Sequence, residues 1–223
     1  RTGVKKNMAA RLIHFIGIIF TLCCAMVPGM ARADDVSDLD RARQTIRWAD
    51  HVKAWPDDPR GHFELAMLYA LTGRVEKGLD ELKPLQPSFS VEVLAVYQPL
   101  LAQEPDNTDH KFKMAFAHYF AGKTEESKAM FQRILDENDP AHVWAMGYKA
   151  LILGNEGKND EVLALCQRAL AVDKEAAGIW FLKGEAQRRK GDGLKGAADM
   201  IKALRLRTMD EFRWKQLERD ARE

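Results

Sequence analysis

The sequence predicts an all-α fold: an α-solenoid of antiparallel helix pairs with a capping helix at each end. Three observations predict it. Gly122, Gly157 and Gly191 fall 35 and 34 residues apart, and a fixed period of this length marks a helical repeat array. Each glycine sits in a similar stretch, YFAGKTEESKAMFQRILDENDP (119–140), LILGNEGKNDEVLALCQRALAVD (151–173) and EAQRRKGDGLKGAADMIKALRL (185–206). Each stretch reads as a helix ending near the glycine, a short polar turn and a second amphipathic helix. No segment shows the period-2 alternation of a strand.

The spacing around the glycines is regular in detail. Ala115, Ala150 and Gly184, all small, lie seven residues before the turn glycine. Phe131, Cys166 and Met200 lie nine after it, and Ile134, Ala169 and Ala203 twelve after it. Positions three apart share one face of the second helix. An earlier unit, GHFELAMLYALTGRVEKGLDELKPL, fits the frame with Ala66, Gly73, Leu82 and Leu85. On these residues the chain resembles the tetratricopeptide repeat (TPR) family, which implies a TPR-like superhelix, a right-handed α-solenoid. Some positions depart from that pattern. Gly73 and Gly122 are 49 residues apart, one repeat plus 15, and the surplus holds Pro84, Pro87, Pro99 and the run SVEVLAVYQPLLAQ; it reads as an extra or broken helix. Gly78 and Gly196 stand where the family usually has alanine, and Gln187 where it has an aromatic.

The elements follow in order. Residues 1–33 carry basic residues, an apolar run from Leu12 to Val27, a Pro28-Gly29 break and Ala31-Arg32-Ala33, the layout of a cleaved secretory signal. The run is 16 residues, shorter than the ~20 of a membrane span; the alternative is an uncleaved inner-membrane anchor. Residues 34–57 give an N-terminal helix stopped by Pro56. Residues 58–107 form a divergent first repeat plus the extra helix, and 108–141, 142–175 and 176–207 three further repeats. Pro59, Pro105 and Pro140 precede first helices, where proline is tolerated. Residues 208–223, highly charged but containing Phe212, Trp214 and Leu217, read as a cap that hides the last repeat's apolar face.

Composition narrows the function. Residues 1–33 hold Arg1, Lys5, Lys6, Arg11 and Arg32 and no acid, so the remainder has 29 basic and 33 acidic residues, a formal charge of −4. That balance carries no footprint for nucleic acid or an anionic membrane. Cys166 alone follows the signal, on the buried face of a second helix, and reads as a core thiol. His51, His62, His110, His118 and His142 are scattered, and no phosphate loop, nucleophile elbow, zinc-protease helix or haem-attachment motif occurs. We expect no enzyme, no cofactor and no metal.

The resemblance places function on the concave face built by the first helices. The partner-binding positions it implies are Phe63 and Met67; Phe112, Phe116 and Tyr119; Tyr148 and Leu151; and Phe181 and Arg188. Aromatics at spacings of four and three share a helix face and can anchor a ligand, although such spacing also suits a core. TPR clamps for a terminal carboxylate use lysine and asparagine at these positions. Phe63, Phe112 and Phe181, with Met67, Phe116 and Leu151, point instead to an apolar peptide or protein segment. The expected function is an exported, periplasmic or secreted adaptor for protein–protein interaction, serving envelope assembly, secretion or a pilus system. The alternatives are a self-assembling structural repeat protein and a repeat domain that binds a small molecule or glycan.

Overall fold

The computed structural model describes residues 33–86 and 88–223, with side chains from Asp38 onward. The signal expected over 1–33 lies almost wholly outside them. The chain divides into two units, 1–38 and 39–223, and the repeats belong to the second. Among the described residues there are ten α-helices and no strand, and no helix is long and apolar enough to cross a membrane.

The helices are α1 (Ala33–Ala54), α2 (Pro59–Leu71), α3 (Val75–Leu82), α4 (Phe89–Gln103), α5 (Thr108–Phe120), α6 (Thr124–Arg133), α7 (Val143–Asn155), α8 (Asn159–Val172), α9 (Ala177–Arg189) and α10 (Gly193–Asp220). They pair as α2/α3, α5/α6, α7/α8 and α9/α10, the antiparallel hairpins of a TPR-like solenoid. The glycine period has a physical cause. Gly73, Gly122, Gly157 and Gly191 all have positive φ, between 74° and 92°. Around each, the next residue's N–H reaches back five residues, as in Lys123 N–H to the His118 carbonyl (2.8 Å) and Lys158 N–H to Leu153 (3.0 Å). This is a Schellman stop, in which a left-handed residue satisfies the last carbonyls of the first helix. Polar side chains start the next units. Asp58 accepts from Arg60 N–H (3.1 Å), Asn107 from His110 N–H (2.9 Å) and His142 Nδ1 from Ala145 N–H (3.1 Å), the capping that frees helix starts from unpaired donors.

Two irregularities of the frame are resolved. After α6 the chain makes a π-helical turn, Ile134–Asn138. Such a turn inserts one residue, and it accounts for 35 rather than 34 residues between Gly122 and Gly157. The surplus before Gly122 is one helix, α4, which continues through Pro99. It buries Val93, Tyr97 and Leu101 at spacings of four, and its proline lies on the exposed side.

In the last pair the backbones of the two helices meet directly. A Cβ on Gly196 would lie 2.6 Å from the Gly184 carbonyl oxygen, and one on Gly184 2.7 Å from that of Gly196. Glycine replaces the family's alanine at 196 because backbone meets backbone there. The C-terminal cap is corrected: residues 208–223 are not a separate helix. Nothing in ALRLRTMDEF breaks a helix, and α10 runs unbroken for 28 residues. Trp214 points inward from it, while Phe212 is 70 % exposed.

Candidate interaction surface

The nine groove positions separate into two sets. Phe63, Met67, Phe112 and Tyr148 are buried, Phe112 completely, and for these four the expected open groove is corrected. The aromatic group is its own filling. The Phe112 ring lies 5.7 Å from those of Phe131 and Tyr148, and 5.8 Å from His142, on which it stacks. Phe116 meets Tyr148 edge-on at 4.7 Å. Two further contacts bring the first repeat against the third. The Tyr148 hydroxyl donates to the Ala70 carbonyl (3.1 Å), and the Trp144 indole lies so close to Gly73 that a Cβ there would sit 2.2 Å from it. Burial pushes the Tyr148 phenol well above its ordinary range, so it serves as a neutral donor.

Phe116, Tyr119 and Leu151 are half-buried at the rim of this group. The rim is tied across helices: Asn155 donates to the Tyr119 hydroxyl (3.4 Å), and Arg189 to the Gly154 carbonyl (2.6 Å). Phe181 is 54 % exposed on α9, outside the linked rings. Arg188 lies on the same helix and pairs with Glu185 at 2.7 Å. Arg188, with Arg189, holds the Glu185 carboxyl down at about 2, so part of the Arg188 charge is already neutralised.

The spacing gave no sign of a clasp between the chain's first turn and its last helix. Arg74, directly after the first turn glycine, is buried with its guanidinium between two rings, 4.6 Å from Tyr69 and 4.2 Å from Trp214. It donates to Glu218 (2.5 Å), to Thr72 Oγ1 (3.0 Å) and to Thr45 Oγ1 of α1 (3.2 Å). Arg207 adds an ion pair with Glu76. A planar cation with five donors suits such a site because it stacks and forks at once. A second buried polar group ties α2, α4 and α5 together, with Glu64 bonded to the Tyr97 hydroxyl and, at 2.8 Å, to Lys113.

A slot of about 130 Å³ lies among Phe63, Leu82, Leu85, Phe89, Ala117 and Phe120. A broad open depression of about 700 Å³ lies between α8, α9 and α10 around Trp180; two cations lie over that indole, Lys183 at 4.6 Å and Lys202 at 3.7 Å from its centroid. Cys166 is buried and its thiol is pushed up to about 12 by desolvation, which makes it a poor nucleophile. Among the described residues no three His, Cys, Asp or Glu side chains converge to hold a metal.

No family model and no curated protein matches the chain. Solved structures do. TTC0263, a thermophilic TPR protein of Thermus thermophilus, is 16% identical, covers 81% of this chain and 98% of its own, and has a TM-score of 0.49. "Crystal structure of MamA" is 14% identical, covering 83% and 99% at 0.46. "MamA MSR-1 C2" is 16% identical, covering 78% and 94% at 0.44. The helix pairs and their Schellman turns establish the fold on this chain's own residues.

Proposed function

We propose that the chain is a helical-repeat adaptor that holds a protein partner, exported through its N-terminal segment and working in envelope assembly, secretion or a pilus system. The observation that carries this reading is Phe181, a large apolar side chain at a groove position that remains more than half exposed. Half-buried Phe116 and Tyr119 on α5 and Leu151 on α7 hold groove positions of the two preceding first helices. An exposed aromatic beside partly desolvated apolar residues is the composition of an interface anchor. The buried set, Phe63, Met67, Phe112 and Tyr148, then fixes the rim in place and makes no partner contact. The rim offers apolar area and one partly neutralised arginine, which fits an apolar peptide segment better than a free carboxylate.

A glycan or small-molecule reading at Trp180 is opposed by the two lysines that already lie over its ring, with which a stacking ligand would compete. The adaptor reading is tested by crosslinking pull-down from an envelope fraction. Wild-type chain is compared with a Tyr119→Ala, Phe181→Ala, Arg188→Glu variant whose circular dichroism is unchanged. The expected result is a specific protein captured by wild type and lost by the variant. Equal capture by both would remove the rim from the binding surface.

A further inference from the structure

We propose that the open depression between α8, α9 and α10 is a second interaction site, and that its ligand is an acidic protein segment with bulky apolar side chains between its carboxylates. The depression marks a departure from the junction one repeat earlier. There Met146, Lys149 and Leu153 hold the positions of Trp180, Lys183 and Gln187. Met146 and Leu153 are buried, and Lys149 donates to Gln132 of the preceding second helix, which latches the junction. The matching pair one repeat on is Lys183 and Gln167, and here the lysine turns the other way. It pairs with Asp199 of α10 at 2.7 Å, at a position that is Leu165 on α8. With that latch absent and a flat indole in place of a flexible thioether, a space of about 700 Å³ stays open over Leu163, Leu170 and Trp180.

Charge selects the ligand. The residues lining the space include Lys174, Lys183 and Lys202 and no acid, in a chain whose formal charge beyond residue 33 is −4. Lys183 has Asp199, whereas Lys174 and Lys202 have no carboxylate partner among the described residues. The indole organises these cations. Trp180 Nε1 donates to the Lys174 carbonyl (2.9 Å), which fixes the ring, and the Lys183 and Lys202 ammoniums lie over it. Ammoniums already gathered over a ring lose less freedom when they meet an anion. Carboxylates of the ligand meet the lysines with complementary charge, while its apolar side chains cover Leu163 and Leu170. A small molecule is ordinarily enclosed over most of its surface; a space this open suits a protein segment. Inorganic phosphate would use the lysines and leave the apolar floor bare. None of the rim residues lines this space, so either surface can fail while the other stands.

The test uses the full chain labelled with 5-fluorotryptophan, its Trp180 resonance identified by Trp180→Phe. Three synthetic peptides with blocked ends are titrated at fixed salt. One has leucines between glutamates, one the same leucines between lysines, and one glycines between glutamates. The expected result is a saturable shift of the Trp180 resonance by the glutamate–leucine peptide. Affinity should be lower by about tenfold or more for each of the other two peptides. It should fall as far in a Lys174→Gln, Lys202→Gln variant whose circular dichroism is unchanged. Absence of binding, equal binding of the glutamate–leucine peptide and either control, or binding that the lysine variant leaves intact overturns the proposal. So does a response to inorganic phosphate as strong as that to the peptide, which assigns the lysines to a free anion. Lysine-dependent binding to anionic phospholipid vesicles without peptide binding assigns the depression to a membrane and equally overturns the proposal.

Discussion

Replacing Arg74 by alanine removes the residue that joins the first turn to the last helix. Its guanidinium is almost fully enclosed, and the change deletes an ion pair, bonds to two threonine hydroxyls and stacking on two rings. Truncating one partner of a buried ion pair costs about 3–5 kcal/mol, chiefly through the charge left behind. Glu218 keeps 27 % of its side-chain surface, so it regains water and the charge term falls toward the lower end. The lost cation–π contacts add about 1 kcal/mol, and the expected total is about 4 kcal/mol. The assay is urea unfolding followed by far-ultraviolet circular dichroism, with the fluorine resonance of 5-fluorotryptophan at Trp214, one of five tryptophans, as a local probe. The variant should unfold at lower urea, and the Trp214 resonance should move toward its solvent-exposed position before the global transition. Arg74→Ala and Glu218→Ala should be non-additive by about 1 kcal/mol or more. A loss below about 1 kcal/mol, with the Trp214 resonance unchanged, would refute the clasp.

Three further outcomes are expected. Gly196→Ala drives a methyl into the Gly184 carbonyl; the strain of about 1–3 kcal/mol outweighs the gain of about 1 kcal/mol in helix propensity, whereas Gly193→Ala, with open space around it, should not lower the melting temperature. Cys166 should resist a thiol reagent at pH 8 until the chain is unfolded in urea, since burial holds its thiol near 12; rapid stoichiometric labelling of the native chain would contradict its placement. The Glu137 carboxyl is held at about 2 by Arg133 and then Lys111. A carboxylate lowered on folding stabilises above its ordinary value of 4.5 and loses that effect as pH falls toward 2. Thermal stability should therefore decline across that window, and less steeply in Glu137→Gln; an unchanged slope would refute the assignment.

The repeat frame was legible because it is local. A left-handed glycine is forced wherever a Schellman stop closes a helix, and the small and apolar positions at fixed offsets follow from one helix crossing the next. The exposure of the groove aromatics was not legible. Phe112 and Phe181 hold the same offset from their glycines, yet one is enclosed by Phe131, Tyr148 and His142 and the other is open, because enclosure depends on the repeats to either side. The clasp had no local signal at all. Arg74 and Glu218 are 144 residues apart, and only the Trp inside a charged segment hinted that residues 208–223 have an inward face. The same segment misled on its outward face, where an apolar stripe stands in place of a polar cap.

The central claim, that a partner meets the rim residues Phe181, Phe116, Tyr119 and Leu151 and not the enclosed aromatic group, is tested most directly by site-specific photocrosslinking in intact cells. A photoreactive side chain is placed at Phe181, at Tyr119 or at Ala164, an exposed residue of α8. The account predicts discrete adducts from Phe181 and Tyr119 and none from Ala164. Adducts of the same mass and yield from all three positions, or from none, would contradict it.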